Sequence, residues 1–331
     1  MTETRYDVLA IGNAIVDVIS ETTDSFIASE GLNKGGMTLI DADRAQQLYD
    51  AMGPAREISG GSAANTLAGL ARLGHKTAFI GQVAEDQLGE VFAHDIRAGG
   101  IDFNIPARPG QPPTARCLIL VTPDAQRTMN TFLGASQFLP AQLIDRAMIE
   151  SAAILYLEGY LWDPEEPRAA MRTAIDVARA AGRKVALTLS DAFVISRHGP
   201  DFLIEMNAGR IDILFANEVE ICALNQSEDF EASVAAIAAK VPLLVVTRGE
   251  HGAIAVQDGI RTEVPAEPVA RLVDTTGAGD LFASGVFAGL AQNRSMADCL
   301  TMGAVCAAEV ISHYGARPEA DIAALVKSRL G

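Results

Sequence analysis

The sequence predicts an α/β fold built on a mostly parallel, doubly wound sheet. Three observations carry that reading. Short apolar runs alternate with stretches of helical period over most of the chain, the pattern that sets parallel strands between helices. Glycines stand where helices should stop. One proline-rich region breaks the alternation and so belongs outside the parallel sheet.

The elements follow in order. Tyr6-Asp7-Val8-Leu9-Ala10-Ile11 reads as a buried first strand closed by Gly12 and Asn13. A helix is expected over residues 62–73, with Gly74 as its left-handed stop, and a strand over 77–83. Beyond residue 150 the alternation sharpens. A strand is expected over 153–157, then a helix over 167–181 with Pro167 near its first turn and Gly182 past its end. Strands follow over 184–189, 211–215 and 243–247, and the C-terminal stretch reads as mostly helical.

The exception is residues 101–133, which carry Pro106, Pro109, Pro112 and Pro113 and then two extended segments around a turn at Pro123-Asp124. A hairpin with no crossover helix cannot lie inside a parallel sheet. It is expected to form a small β-subdomain from segments of about 14–20, 36–41 and 103–134. Such an element can be a flap over a pocket or a contact between two copies of the chain.

The bulk properties agree with one large domain or two small ones: 331 residues, 49% apolar and 21% charged. Acidic residues outnumber basic ones by 42 to 26, a net charge of -16, so neither nucleic acid nor an anionic membrane is an expected partner. The four cysteines show no metal-ligand spacing and read as free thiols of a reducing compartment. The N-terminal stretch carries no basic leader or apolar span, and a cytoplasmic protein is expected.

The chemistry concentrates in Asp274-Thr275-Thr276-Gly277-Ala278-Gly279-Asp280-Leu281-Phe282. Apolar residues of helical period follow it, so Thr276 to Gly279 is a loop opening onto a helix N-terminus. Glycines there allow close approach, and the successive N–H groups with the helix dipole favour a phosphate. Asp280, in the first turn, is either a helix cap or a general base for a hydroxyl proton. There is no GxxxxGK[ST] loop, and Phe282 stands where GxGxxG needs a glycine.

DTTGAGDLF resembles the C-terminal signature of the PfkB, or ribokinase-like, carbohydrate and nucleoside kinases. Gly60-Gly61-Ser62-Ala63-Ala64-Asn65, with the run from Gly81 to Gly89, is similar to the family's N-terminal signature, and the likeness covers nearly the whole chain. It implies a ribokinase-like three-layer α/β/α sandwich with a small β-sheet lid. It also implies that Asp280 matches the catalytic base and that Gly277, Ala278 and Gly279 match the anion hole. Asn217 and Glu220 resemble the family's NxxE motif, which places the Mg²⁺–phosphate complex with the acid acting through water. Read alone, they are a helix cap with an acidic first turn. Thr247, Gly249 and Gly252 resemble the nucleotide-side TxGxxG, which read alone is a tight turn. Thr276 and Ala307, with Gly315, Ser190 and Asp191 nearby, fall on stretches that flank ATP in the family. The family's potassium site would lie near Asp274 to Thr276.

For the acceptor, Asn13 and Asp17 lie just beyond the first strand, and with Gly61 and Asn65 they can hydrogen-bond a vicinal diol. This combination resembles the adenosine kinase branch, in which the matching residues hold the ribose. Phe132, Leu133 and Phe193 are the candidates for stacking on a base, and the hairpin turn lacks the Gly common before the matching Arg127. The reading is therefore an ATP-dependent kinase acting on the 5′-hydroxyl of a nucleoside, adenosine first, as a monomer or a homodimer through the lid. A free-sugar kinase acting on ribose or fructose is the alternative. A binding protein that has lost catalysis is a third reading, which the intact Asp280 beside intact glycines opposes.

Overall fold

The computed structural model describes residues 4–124 and 126–331; Met1 to Glu3 and Ala125, within the expected hairpin turn, lie outside them. In chain order the first strands are β1 (Tyr6–Ile11), β2 (Ile15–Glu21), β3 (Met37–Leu39), β4 (Ala55–Gly60) and β5 (Thr77–Ile80). They are followed by β6 (Ile101–Asp102), β7 (Ala115–Val121), β8 (Arg127–Phe132), β9 (Ala152–Glu158) and β10 (Lys184–Thr188). The last are β11 (Ile213–Asn217), β12 (Leu243–Thr247), β13 (Ala253–Gln257) and β14 (Ile260–Val264).

They make two sheets. The larger has nine strands in the order β14-β13-β12-β11-β10-β9-β1-β5-β6, parallel throughout except for the antiparallel β13 and β14 at one edge. Helices cover both faces, so its inner strands are apolar on both sides, as β1 and β9 are. Chain order runs outward in opposite directions from the β9–β1 pair. In open α/β sheets such a switch point opens a crevice at the carboxyl ends of the strands, where ligands bind.

The smaller sheet has five strands in the order β3-β8-β7-β2-β4. The hairpin β7–β8 stands outside the parallel sheet, and β2 and β3 flank it. Two differences from the sequence reading have simple causes. Residues 101–102 join the large sheet as β6, because they pair with β5 before the prolines begin. The strand β4 completes the small sheet, although Ala55 and Arg56 are exposed and Glu57 only half-buried, a stretch with no apolar run to detect.

Element ends agree with the turn chemistry. Helix Ser62–Arg72 stops at Leu73, and Gly74 follows with φ +87. Helix Glu165–Ala180 begins two residues before Pro167, and Gly182 follows it with φ +69. The strand expected over 211–215 is displaced to Ile213–Asn217, so that Asn217 ends the strand and caps the next helix. Among the described residues, no helix is long and apolar enough to cross a membrane. Cys117, Cys222, Cys299 and Cys306 are free thiols.

Candidate active site

A cleft of about 720 Å³ lies between the carboxyl edge of the large sheet and one face of the small sheet. The switch point supplies its floor: Asn13 after β1, Glu158 at the end of β9, Ser190 after β10, Asn217 at the end of β11 and Thr247 at the end of β12. The small sheet supplies its roof by strand alternation. Ile15 and Asp17 of β2, Cys117 and Ile119 of β7, and Met129 and Thr131 of β8 face the cleft, while Val16, Val18 and Leu118 point into the core.

One wall is the start of helix Ala278–Ala291. Its N-cap, Gly277, is left-handed at φ +79, and no side chain caps it. The first i→i−4 bond runs from the Leu281 N–H to the Gly277 carbonyl at 2.8 Å. The Gly279 and Asp280 N–H groups precede that bond, as the first donors of any helix do. Nothing stands within 4 Å of where a Cβ on Gly279 would be, so this face of the first turn is open to the cleft. Such a terminus can hold an anion.

The loop before it is tied down by Asp274, whose Oδ1 accepts from the Thr276 N–H at 3.0 Å and the Thr276 hydroxyl at 2.8 Å. Its Oδ2 accepts from the Gly315 N–H at 3.1 Å and pairs with the buried guanidinium of Arg127. That ion pair links the small sheet directly to the loop at the helix start. Thus both oxygens of the Asp274 carboxylate are engaged by protein partners.

Asp280 projects from the first turn and is half-buried. The Ser62 hydroxyl donates to its Oδ1 at 2.6 Å and the Asn65 amide donates to its Oδ2 at 3.1 Å. Burial raises its pKa above the ordinary aspartate value, and the Ser62 and Asn65 hydrogen bonds oppose the rise. Ser62 and Asn65 stand on a helix whose N-cap, Gly61, has φ +96; a Cβ there would lie 2.2 Å from the Asn13 carbonyl oxygen. Only glycine allows that approach, which brings Asn13 and the Ser62–Asn65 turn together.

Two further carboxylates face the same space. Burial pushes Asp17 up to about 6, against the pull of Arg127 and Arg317, while Asp280 adds to the rise. Burial likewise pushes Glu158 up to about 7, although the Ala63 N–H and the Asn13 side chain hydrogen-bond to it. The Asn13 amide donates to Glu158 Oε1 at 2.7 Å and its Oδ1 accepts from the Ser136 hydroxyl at 2.8 Å. At the other end of the cleft, Asn217 and Glu220 form a reciprocal capping box. Glu220, buried there, is pushed up to about 7 by burial, with Asp191 adding to the rise.

The structure therefore brings Asn13, Asp17, Gly61, Asn65, Asn217, Glu220, Thr247, Thr276, Gly277, Ala278, Gly279 and Asp280 to one cleft. Five expected residues do not line it: Phe132, Gly249, Gly252, Ala307 and Gly315. Phe132 alternates with Thr131 on β8 and turns away from the cleft, and its neighbour Leu133 lines the cleft instead, as does Phe193, which is 73% exposed. Gly249 and Gly252 form the tight turn between β12 and β13, in which the Arg248 N–H donates to the Gly252 carbonyl at 2.8 Å. Ala307 lies within helix Met296–Val310, off the cleft. Sequence reasoning missed Glu158 and Arg317 and gave Arg127 no part in the site. Glu158 had a usable signal, an acid closing an otherwise apolar strand at the carboxyl edge.

The model of the pfkB family carbohydrate kinases matches residues 34–323, most of the chain. The chain belongs to the PfkB family. Its activity is accordingly phosphoryl transfer to a hydroxyl group. The crystal structure of an adenosine kinase from Sinorhizobium meliloti is similar at 46% identity and a TM-score of 0.91, covering 98% of this chain and 100% of that one. That of a probable sugar kinase protein from Rhizobium etli CFN 42 is similar at 45% identity and a TM-score of 0.92, covering 98% and 99%. A fructokinase from Klebsiella pneumoniae is 27% identical over 81% of this chain and 91% of its own length. Within the family, relatives thus carry both nucleoside-kinase and sugar-kinase names.

Proposed function

We propose that this kinase transfers the γ-phosphoryl group of ATP to the 5′-hydroxyl of a nucleoside, adenosine first, with Asp280 as general base. The observation that carries the reading is the placing of Asp280 in the first turn of an uncapped helix whose Gly279 face is open to the cleft. A carboxylate there can take the acceptor proton while the Gly277 to Gly279 amides hold the oxygens of the phosphoryl group. Ser62 and Asn65 each hydrogen-bond one oxygen of Asp280 and so fix the orientation of its carboxylate.

Asp17, Asn13, Gly61 and Asn65 would hold the sugar of the acceptor, with Glu158 beneath them. Asn217, Glu220, Thr247 and Thr276 would face the triphosphate. Among the described residues no three His, Cys, Asp or Glu side chains converge as a metal cage. That fits a Mg²⁺ carried mainly by the nucleotide's phosphates, which Glu220 would orient through water. The ion would supply neutralisation of the charge on the β- and γ-phosphate oxygens. The small sheet, tied to the helix mouth through Arg127 and Asp274, would serve as a lid excluding water.

A nucleoside is favoured over a free sugar by the roof of the cleft. Met37, Leu39, Ile119, Met129 and Leu133 give an apolar face suited to a base, with Phe193 at its edge. The free-sugar reading draws on Asp17 and Glu158, two hydroxyl-binding carboxylates in one cleft. A panel of nucleosides and sugars with ATP and Mg²⁺, read by ADP release, separates the two. Adenosine is expected to give the highest kcat/KM, and ribose or fructose exceeding it would overturn the choice of acceptor. Asp280→Asn is expected to lower kcat by roughly 10²–10⁴-fold.

A further inference from the structure

Arg317 approaches the acceptor end of the cleft from behind, on the loop after helix Met296–Val310. Its Nε donates to Asn65 Oδ1 at 3.0 Å, and its Nη2 donates to the Ser59 carbonyl at 2.8 Å and the Ser59 hydroxyl at 3.0 Å. Ser59 is in turn held by Asp95, which accepts from its N–H at 2.8 Å and its hydroxyl at 2.5 Å. The same loop braces the anion-binding helix: the Gly315 N–H bonds Asp274, and Ala316 packs so closely on Gly277 that a Cβ on the glycine would lie 2.7 Å from its own.

A guanidinium has donors only, whereas an amide has a donor end and an acceptor end. With Arg317 on Oδ1, the Asn65 amide has one orientation, and it is the one that turns Nδ2 toward Asp280. Flipped, the amide would present an oxygen to a carboxylate. We propose that Arg317 is a positioning residue for phosphoryl transfer, one that fixes Asn65 against Asp280 and supplies a positive charge shared by Asp280 and Asp17. The inference rests on Asp280 being the base.

The charges around it are uneven. Asp280 faces Ser62 and Asn65 on its own side, Asp17 of β2 across the cleft, and Glu158, Tyr156 and Tyr160 from β9 and the turn after it. Asp17 also has Arg127 of β8 and the Cys117 thiol of β7 beside it, and Asp95 of helix Gln87–Ala98 faces Arg317. Two guanidiniums thus serve Asp17, Asp280, Asp95 and Asp274. Arg317 lowers the pKa of both cleft aspartates, opposing the rise that burial causes.

The test compares wild type, R317Q and R317K with ATP, Mg²⁺ and adenosine, or ribose should adenosine not turn over, from pH 4.5 to 8.5. R317Q is expected to move the acid limb of kcat/KM upward by roughly one unit, the effect of removing a nearby opposite charge. R317K keeps the charge but not the planar fork, so its limb is expected to stay in place while kcat falls several-fold. A folded R317Q with the wild-type limb overturns the inference. Should R317Q not fold, R317K decides: wild-type kcat, or a displaced limb, overturns it. Asp280→Asn run in parallel separates the two levels. Wild-type turnover there would defeat the base assignment itself, whereas an inactive Asp280→Asn with an unmoved R317Q limb defeats only the role of Arg317.

Discussion

Gly279→Ala separates the site from the fold. Gly279 is exposed at the cleft, outside the left-handed region, and a Cβ built on it meets no atom within 4 Å. The folded chain therefore has room for the methyl group. Alanine is also the better helix former, so stability should be unchanged or higher by up to about 1 kcal/mol. For a chain of this size that is a change in unfolding temperature of about 2 °C. The phosphoryl oxygens, however, must come to about 2.9 Å from the first-turn nitrogens, and the methyl group stands in that approach. Loss of one oxyanion donor costs about 3 kcal/mol, or roughly 10²-fold in kcat. The assay is steady-state ADP release at saturating ATP and acceptor, with thermal unfolding in parallel. Wild-type kcat in a normally folded Gly279→Ala protein would refute the placing of the phosphoryl group. Gly277→Ala makes the contrast, since φ +79 and the clash with Ala316 predict a loss of stability instead.

Other outcomes follow from the buried acids. Asp17→Asn should raise the acceptor KM by roughly 10- to 100-fold, the worth of a hydrogen bond to a charged group, while kcat changes little. In the wild type the acceptor KM should rise as pH falls through about 6, where Asp17 takes up its proton; a flat KM across that range would remove Asp17 from acceptor binding. Glu158 and Glu220, both raised to about 7, hold protons in the folded state that the unfolded chain releases from about pH 4.5 upward. The contribution of these two groups to stability is therefore greatest below about pH 4.5 and declines as pH rises toward about 7. The gap for Glu158 corresponds to roughly 3 kcal/mol at about 1.4 kcal/mol per unit. Glu158→Gln should remove about half of that slope in denaturant unfolding between pH 5 and 8, and an unchanged slope would contradict its burial as a carboxyl.

Much of the fold could be read in the chain because buried parallel strands are short apolar runs, as at Tyr6–Ile11 and Leu243–Thr247. The proline run marked where the hairpin leaves the parallel sheet. β4 was illegible because its first half is solvated, and only pairing with β2 makes it a strand. The glycine turn that opens helix Ala278–Ala291 was legible because Gly277 and Gly279 stand directly before an apolar stretch of helical period. Asn217 and Glu220 show both readings at once, a helix cap that also lines the cleft. Phe132 failed on strand alternation, a matter of one residue of register. Arg127 and Arg317 reach the site across sequence separations of 147 and 252 residues to Asp274 and Asn65. No local pattern announces such a contact.

The most direct measurement is a crystal structure of the chain with a non-hydrolysable ATP analogue, Mg²⁺ and adenosine. The account predicts the terminal phosphate within hydrogen-bond distance of the Gly279 amide and the 5′-oxygen against the Asp280 carboxylate. A terminal phosphate bound away from that turn, or a 5′-oxygen out of reach of Asp280, would contradict it.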